Sequence, residues 1–238
     1  MKAVILAGGL GKRLRRAVRD RPKSMALVLG KPFLEYQVEQ LRKYDVIKIV
    51  LCVGYLAEQI KSYFKDGTKF GVDIRYGVEK EPLGTAGALK NAENYLEDGA
   101  FLVLNGDSYS EIDITRFVQF HRKKGGMGTI LLTRVSQAQD YGLMKVDEDS
   151  RITGFLEKSA KISSDNIINA GIYLLEPEVL SYIPEGKQVS LERETFPRLL
   201  QENVPLFGYL TSDYFIDIGT PEKYAQIQKE MKEITRCS

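Results

Sequence analysis

The sequence has few cysteines and no metal-ligand spacing among them. Its 238 residues include two cysteines, Cys52 and Cys237. This usage excludes a disulfide framework and a structural zinc site, and it fits a reducing compartment. We expect Cys52, which lies in an apolar strand, to be a buried free thiol, and Cys237 to be a thiol of the C-terminal tail.

Histidine and long apolar runs are also scarce. The single histidine, His121, falls late in a predicted helix that runs into Lys-Lys-Gly-Gly. A histidine there is typical of a structural role, so we expect no histidine-based nucleophilic chemistry. No apolar run reaches membrane-spanning length, and the chain opens on a strand without a signal-peptide layout. We therefore expect a cytoplasmic protein without a membrane partner.

The charge balance is close to neutral, with a formal net charge of +2. This is too small to indicate nucleic acid or an anionic membrane. Basic residues do cluster from Lys12 to Lys23, against the single acid Asp20. No aromatic residue is interleaved there to stack on bases, so a small polyanion is favoured and a nucleic-acid partner is not expected.

Apolar strands alternate with amphipathic helices in the first half. Predicted strands cover 3–6, 47–53, 72–78 and 101–104, and predicted helices cover 33–44, 57–64 and 85–96. Continuous apolar strands between helices indicate a parallel sheet that is covered on both faces. The expected fold class is therefore α/β.

The second half is richer in strands. They are predicted at 129–135, 142–146, 152–157, 167–175, 206–210 and 214–216, with helices near 178–183, at 190–202 with Ser190 as N-cap, and after Pro221. No linker or repeat interrupts the chain. We expect one domain over 1–238, with a nucleotide-binding half (1–125), a sugar-binding half (126–238) and no C-terminal β-helix of hexapeptide repeats.

A glycine-rich loop, Gly8-Gly9-Leu10-Gly11-Lys12-Arg13, follows the first strand. Ligands of open α/β sheets bind beyond the carboxyl ends of strands, and glycines there allow backbone N–H groups to approach phosphate oxygens. The spacing fits neither common phosphate motif. A Walker A loop would need Gly at Leu6 and Ser or Thr at Arg13, and a dinucleotide fingerprint would need a small residue at Leu14.

Together with Pro22-Lys23, this loop resembles the N-terminal pattern Gly-Gly-x-Gly-x-Arg-Leu, then Pro-Lys, of the nucleotide-sugar pyrophosphorylases, or sugar-1-phosphate nucleotidyltransferases. The resemblance extends through nearly the whole chain. It implies a Rossmann-like three-layer α/β/α fold with a mixed sheet. It also implies a Mg²⁺-dependent reaction between a nucleoside triphosphate and a sugar 1-phosphate, with Arg13 gripping the triphosphate and Lys23 the α-phosphate region as the catalytic residues.

The segment Glu79-Lys-Glu-Pro82-Leu-Gly84-Thr85 resembles the family's base-recognition loop. Gly84 would let the base pack against backbone. Guanine presents two donors, N1–H and an amine, and the Glu79 carboxylate is a suitable acceptor, so GTP is favoured. A solvated acid at a helix start is the alternative. The predicted nucleotide-binding residues are Leu6, Ala7, Gly8, Gly9, Gly11, Lys12, Glu79, Pro82, Gly84 and Thr85.

Two aspartates match the family's metal ligands. Asp107 ends Asn105-Gly106-Asp107 after an apolar strand, a place where a carboxylate can hold a hard cation against phosphates, although a plain turn would look the same. Asp217 lies in Phe215-Ile-Asp217-Ile-Gly-Thr-Pro. Relatives often carry Trp where this chain has Phe215, a mild departure. The resemblance thus implies Mg²⁺ on Asp107 and Asp217.

The remaining matches outline a sugar 1-phosphate pocket. By resemblance, the Gly142 backbone meets the sugar, Glu157 binds sugar hydroxyls, Lys158 binds the sugar's phosphate and Asn169 binds the sugar. Asn105 completes the predicted set. Adjacent Glu and Lys are individually common, so the pair Glu157-Lys158 carries weight only within this series.

Within the family, the motifs most resemble guanylyltransferases of D-glycero-α-D-manno-heptose 1-phosphate, which supply GDP-heptose for surface glycans. Mannose-1-phosphate guanylyltransferase is the next alternative, followed by a uridylyl- or thymidylyltransferase. A catalytically silent binding subunit is the alternative from another class. We also expect a lid at 15–21, and a homo-oligomer is compatible with the sequence.

Overall fold

The computed structural model describes residues 1–11, 13–14, 18–96, 98–135, 142–156 and 166–237. Within these ranges no helix is both long and apolar enough to cross a bilayer. The Cys52 side chain is fully buried and free, as expected. The cytoplasmic location stays a prediction.

A mixed sheet forms the centre of the molecule. Its strands are β1 (Lys2–Leu6), β4 (Lys48–Val53), β5 (Asp73–Val78), β6 (Phe101–Asn105), β8 (Gly128–Arg134), β9 (Leu143–Val146), β10 (Ile152–Leu156), β11 (Ile167–Leu175) and β12 (Leu206–Thr211). The main order is β10-β9-β11-β6-β1-β4-β5, and β8 pairs with β11 and β12. Two short ribbons accompany it, β2 (Leu27–Val28) with β3 (Lys31–Pro32) and β7 (Ser108–Ser110) with β13 (Phe215–Asp217).

The strands β5, β4, β1 and β6 run parallel, as the mostly apolar sequences of β4, β1 and β6 predict. β1 lies between β4 and β6, so that Leu6 is level with Cys52 on one side and Asn105 on the other. The carboxyl ends of these three strands therefore meet at one edge. The glycine loop leaves the sheet at this edge.

Helices cover both faces of the sheet. They are α1 (Phe33–Lys43), α2 (Ala57–Phe64), α3 (Gly84–Asn91), α4 (Ile114–Lys124), α5 (Phe196–Gln201) and α6 (Pro221–Cys237). Alternate residues of β1 point to opposite sides, as in any strand. Ala3 and Ile5 join the core beneath α1, α2 and α4, whereas Val4 joins the core beneath α3 and α5. The three-layer α/β/α fold with a mixed sheet is thereby confirmed.

The two halves of the sequence share this sheet. β11, from the second half, pairs antiparallel with β6 from the first. α6 returns to the first half, where the Tyr224 hydroxyl donates to the Leu27 carbonyl at 2.6 Å. The expected boundary at residue 125 stays a prediction about function, since the packing crosses it.

Three predicted elements differ from the structure. The helix expected at 85–96 ends at Asn91 and is followed by a 3₁₀ turn, Glu93–Tyr95. The helix expected at 178–183 is the 3₁₀ segment Pro177–Tyr182. The helix expected at 190–202 is a π-helical turn, Leu191–Thr195, continued by α5, although Ser190 caps it as predicted.

Candidate active site

The ends of β1 and β6 bring the glycine loop beside Asp107. The Gly106 N–H donates to the Leu6 carbonyl at 3.0 Å, and a Cβ on Gly106 would lie only 2.8 Å from that oxygen. Glycine is therefore required for this close approach. The turn places Asp107 next to the loop that leaves β1, which is the arrangement the sequence predicts.

The glycine loop itself packs against Lys23. Gly11 has φ +57°, and a Cβ there would lie 3.0 Å from the Lys23 Cβ. Lys23 opens a 3₁₀ turn, Lys23–Met25, and its ammonium lies 2.5 Å from Asp107 Oδ2. The predicted phosphate-binding lysine and the predicted metal-binding carboxylate are thus in direct contact. Lys12 lies outside the described residues.

Glu79 lies just beyond the end of β5 and reaches over the glycine loop. Its Oε1 occupies the space that a Cβ on Gly8 would need, and its Oε2 accepts the Leu83 N–H at 3.0 Å. Burial raises the pKa of this carboxyl group, and the hydrogen bond from Leu83 opposes the rise. The side chain is therefore held in the cavity wall and is not a solvated surface acid.

A first cavity of about 490 Å³ lies between these loops. We call it the nucleotide cavity, because the predicted nucleotide-binding residues that the structure describes line it together with Arg13 and Lys23. These are Leu6, Ala7, Gly8, Gly9, Gly11, Glu79, Pro82, Gly84 and Thr85. Its wall also includes Ser24 and Gln188, which no sequence motif indicated.

A second cavity of about 1060 Å³ adjoins the first, and we call it the sugar cavity. Three predicted sugar-site residues line it, Asn105, Gly142 and Asn169, as does Asp217. Glu157 and Lys158 lie outside the described residues, as do Tyr141 and positions 15–17 of the expected lid. Arg13, Asn105 and Asp107 border both cavities, so the two spaces meet at these side chains.

Asp107 and Asp217 are brought together by the small ribbon of β7 and β13. Asp217 is paired with Ser108 in this ribbon, and the Ile218 N–H donates to the Asp107 carbonyl at 2.9 Å. The sequence separates the two aspartates by more than a hundred residues. No apolar pattern marks β7, so only the family resemblance predicted that these carboxylates are neighbours.

The two carboxylates suit a hard cation. Mg²⁺ is usually held by one or two carboxylates, with water and substrate phosphates as its other ligands. The described residues contain no group of three or more His, Cys, Asp or Glu side chains that would form a complete protein cage. The donor set of Asp107 and Asp217 therefore fits a cation that is shared with phosphates.

Lys223 on α6 was not selected from the sequence. Its ammonium lies 2.7 Å from Asp217 Oδ2, and it lines the sugar cavity. Only the position of α6, which begins four residues after Asp217, brings it there. A lysine in an amphipathic helix carries no signal of such a role, so the sequence could not identify it.

Gly84 and Thr85 line the nucleotide cavity, but their closest contacts are with the segment that precedes α5. Gly84 has φ +73°, and a Cβ there would lie 2.5 Å from the Val189 carbonyl oxygen. The Thr85 hydroxyl donates to Glu192 Oε2 at 2.8 Å and accepts the Leu191 N–H at 2.8 Å. The glycine is therefore needed for backbone packing, and its expected contact with a base stays a prediction.

His121 borders neither cavity within the described part of the chain. Its ring is buried, with Nδ1 2.8 Å from Thr129 Oγ1 and Nε2 3.0 Å from Glu176 Oε1. These contacts join α4 to β8 and to the end of β11. The structural role expected from its helix-end position agrees with this placement.

The fold and the paired cavities define an α/β protein whose candidate ligand sites lie beyond the carboxyl ends of its parallel strands. The family model described as nucleotidyl transferase matches residues 2–234. The chain therefore belongs to the nucleotidyl transferase family.

Curated relatives carry different nucleotide and sugar names. The chain is 41% identical to "Probable mannose-1-phosphate guanylyltransferase 1" of Oryza sativa, over 94% of this chain and 63% of that protein. It is 37% identical to "UTP--glucose-1-phosphate uridylyltransferase" of Synechocystis, over 98% of this chain and 65% of that protein. It is 39% identical to "D-glycero-alpha-D-manno-heptose 1-phosphate guanylyltransferase" of Campylobacter jejuni, over 94% of this chain and 97% of that protein. The chain thus spans slightly less than two thirds of several relatives.

A solved structure with the same fold is HddC from Yersinia pseudotuberculosis, described as complexed with GMP-PN. It is 34% identical, with a TM-score of 0.85 over 97% of this chain and 99% of that chain. The family and fold expected from the sequence motifs are confirmed by these comparisons.

Proposed function

We propose that this protein transfers GMP from GTP to D-glycero-α-D-manno-heptose 1-phosphate, giving GDP-heptose and pyrophosphate. The observation that carries the choice of guanine is the Glu79 carboxylate in the wall of the nucleotide cavity. Guanine offers N1–H and an exocyclic amine as adjacent donors, and an ionised carboxylate can accept from both. Uracil and thymine offer only one such N–H. The named guanylyltransferase relatives support the same choice.

The reaction needs no nucleophile from the protein. A phosphate oxygen of the sugar 1-phosphate forms a bond to the α-phosphorus of GTP, the bond from that phosphorus to the α,β-bridging oxygen breaks, and pyrophosphate leaves. Such transfers depend on positioning and on neutralising charge. Arg13 borders both cavities and would offset charge on the leaving pyrophosphate, while Lys23 would steady the α-phosphate.

Asp107 and Asp217 would hold Mg²⁺, since the ribbon of β7 and β13 brings them together and both line the sugar cavity. When bound there, the cation would neutralise phosphate charge and orient the two reacting groups. Lys23 and Lys223, which contact these carboxylates in the structure, would then be available to phosphate oxygens.

For the sugar 1-phosphate we propose Asn105, Gly142 and Asn169 as contacts from the described residues, joined by Glu157 and Lys158. Heptose and mannose share a ring configuration and differ at the exocyclic carbon. The mannose-1-phosphate guanylyltransferases among the relatives make mannose 1-phosphate the second candidate. The Synechocystis relative makes uridylyl transfer the third. A silent subunit is disfavoured because the glycine loop, the basic residues and both aspartates surround the cavities.

The test is pyrophosphate release in Mg²⁺ buffer. GTP, ATP, CTP, UTP and dTTP are each paired with D-glycero-α-D-manno-heptose 1-phosphate and with α-mannose 1-phosphate. We expect turnover with GTP and the heptose. Turnover with GTP and mannose 1-phosphate alone would favour the second candidate, and a preference for UTP or dTTP would contradict the role of Glu79.

A matched pair of variants distinguishes a specific role of Glu79 from a general effect of negative charge in the same loop. Glu79→Gln should lose selectivity for GTP over UTP by about tenfold or more, since one of the two acceptor oxygens becomes a donor; a lost hydrogen bond to a charged group costs about 1.5–3 kcal/mol. Glu81→Gln removes an exposed acid of the same loop and should leave selectivity unchanged. Full GTP selectivity in Glu79→Gln would defeat the proposal.

A further inference from the structure

Glu192 stands at the centre of a hydrogen-bond network between the two cavities. Its Oε1 accepts the Tyr173 hydroxyl at 2.9 Å. Its Oε2 accepts the hydroxyls of Thr85 and Ser190, each at 2.8 Å. Three hydroxyl donors from separate parts of the sequence thus converge on one partly buried carboxylate.

The donors belong to different cavities. Thr85 lines the nucleotide cavity, whereas Tyr173, Ser190 and Glu192 line the sugar cavity. The Thr85 hydroxyl has one proton to donate, and that proton is directed at Glu192. Its oxygen accepts the Leu191 N–H. The hydroxyl is therefore engaged with the sugar side of the site, even though Thr85 lines the nucleotide cavity.

On the sugar side the network continues to Asn169. The Asn169 amide donates to the Tyr173 hydroxyl at 3.0 Å, and its Oδ1 accepts the Gly171 N–H at 2.7 Å. Tyr173 is fully buried, and burial raises the pKa of its hydroxyl well above the usual value. The hydroxyl therefore keeps its proton and remains a donor to Glu192.

Backbone contacts fix the other end of the network. The N–H groups of Ala86 and Gly87 donate to the Val189 carbonyl at 3.0 and 3.3 Å, and the Val189 N–H donates to the Leu83 carbonyl at 2.8 Å. The first turn of α3 is thus attached to the chain just before Glu192. Glu192 itself lies in the π-helical turn Leu191–Thr195, a local geometry that is frequent at functional sites.

We propose that Glu192 is a positioning residue that couples the two cavities, so that a bound nucleotide favours binding of the sugar 1-phosphate. A nucleotide that orders the start of α3 would fix Thr85, which would hold Glu192, and Glu192 would hold Tyr173 and Asn169 in place. The second ligand then meets an ordered pocket and loses less conformational entropy on binding. This inference rests on the proposed function, since it assumes that the cavities take these two ligands.

The test measures binding by calorimetry in Mg²⁺ buffer. The probes are α,β-methylene GTP, which cannot be cleaved at the α,β position, and D-glycero-α-D-manno-heptose 1-phosphate, with α-mannose 1-phosphate measured in parallel. For the wild-type protein we expect each ligand to tighten the other by the same factor, within about 5–150-fold. Linkage requires this equality, so it also serves as an internal check.

Two variants cut the network on opposite sides. Thr85→Val removes the nucleotide-side hydroxyl, and it should leave the affinity for the sugar 1-phosphate alone within about twofold while the coupling factor falls toward 1. Tyr173→Phe removes the sugar-side hydroxyl, and it should leave the affinity for the nucleotide analogue alone unchanged with the same loss of coupling. A purely structural role would weaken only the ligand whose cavity was altered.

Control variants isolate the network from nearby changes. Thr85→Ser keeps the hydroxyl and should keep the coupling. Glu194→Gln alters the neighbouring acid, whose Oε1 accepts the Ser190 N–H, a contact that Gln can also make, and it should bind and couple as the wild type does. A coupling factor near 1 in the wild type, or wild-type coupling retained in both Thr85→Val and Tyr173→Phe, would overturn the proposal.

The choice of guanine is contradicted by a different result from the one that would contradict the coupling. A wild-type protein that prefers α,β-methylene UTP contradicts the choice of base, and the coupling is then measured with that analogue by the same comparison. A wild-type protein that binds neither nucleotide analogue nor sugar phosphate contradicts the proposed function and the coupling together.

Discussion

The Lys223 ammonium lies 2.7 Å from Asp217 Oδ2 on the wall of the sugar cavity. Both side chains are mostly buried, with 22% and 14% of their surfaces exposed, so the pair is little screened by solvent. A cation bound by Asp217 must replace this lysine as the partner of that carboxylate oxygen. Lys223 therefore reduces the negative charge that Asp217 offers to a metal ion.

Replacing Lys223 should strengthen metal binding. Lys223→Met keeps the apolar stem and removes the competing charge, and we expect about three- to tenfold tighter binding of Mn²⁺, which corresponds to about 1 kcal/mol. The free Mn²⁺ signal in electron paramagnetic resonance measures this without turnover. Lys229→Met removes an exposed lysine of the same helix and should leave the affinity unchanged. Unchanged affinity in Lys223→Met would contradict the prediction.

Asp107→Asn tests the other carboxylate. The change keeps the shape of the side chain but removes its charge, so turnover should fall by at least about 100-fold, since a metal ion supplies several kcal/mol of transition-state stabilisation. Circular dichroism should show a folded protein. Asp113→Asn is the matched control, because Asp113 caps α4 and Asn is an equally good N-cap. Normal turnover in Asp107→Asn would refute its role as a metal ligand.

The raised pKa of Glu79 predicts how GTP binding depends on pH. Guanine needs the ionised carboxylate, so protonation of Glu79 should raise the KM for GTP as the pH falls. The rise begins at a higher pH than an ordinary glutamate would give, because burial raises this pKa. In a KM profile against pH, Glu79→Gln should lack this rise. A wild-type profile that runs parallel to the variant's would exclude Glu79 as the titrating group.

The raised pKa of Glu79 also affects how the stability of the folded protein depends on pH. The folded-state pKa of Glu79 lies above the unfolded value, so the folded protein binds the proton more tightly. The contribution of this group to the free energy of unfolding is therefore present at low pH and decreases as the pH rises through the interval between the two values. The melting temperature of Glu79→Gln relative to the wild type should increase over that interval.

Gly84 and Gly99 allow the cost of backbone strain to be separated from the cost of a steric clash. Gly84→Ala meets both a positive φ of +73° and the Val189 carbonyl, whereas Gly99→Ala meets only a positive φ of +80°, with nothing within 4 Å of its Cβ. We expect Gly99→Ala to lower the free energy of unfolding by about 1–2 kcal/mol. Gly84→Ala should cost about 1–3 kcal/mol more, because a Cβ has no space there. Urea denaturation of both variants measures the difference, and equal losses would contradict the close packing against Val189.

The centre of the parallel part of the sheet, formed by β1, β4 and β6, could be predicted from the sequence because these strands are buried on both faces. β1, β4 and β6 consist almost wholly of apolar residues, so their pattern does not depend on a distant partner. The positions of the glycine loop and of Asp107 followed directly, since both lie at the ends of such strands, whereas the metal role of Asp107 came from the family resemblance and stays a proposal. This part of the site is encoded locally.

The rest of the site depends on pairing across the chain. β7 is only three residues long and forms through contact with β13, about a hundred positions away. The Glu192 network joins Thr85 to a turn in the second half, and a π-helical turn has no distinctive residue pattern. Such contacts are set by tertiary packing, which periodicity does not encode.

Arg13, Asn105 and Asp107 form the border shared by the two cavities, and the remaining lining residues belong to one cavity or the other. Glu79, proposed to contact the base, and Asn169, proposed to contact the sugar, line different cavities. On the proposed function, we expect substitutions that leave the Thr85–Glu192–Tyr173 network intact to change the accepted base or the accepted sugar singly. Such an arrangement is well suited to diversification by gene duplication. It also offers protein engineers separate positions at which to alter the base and the sugar of a nucleotide sugar.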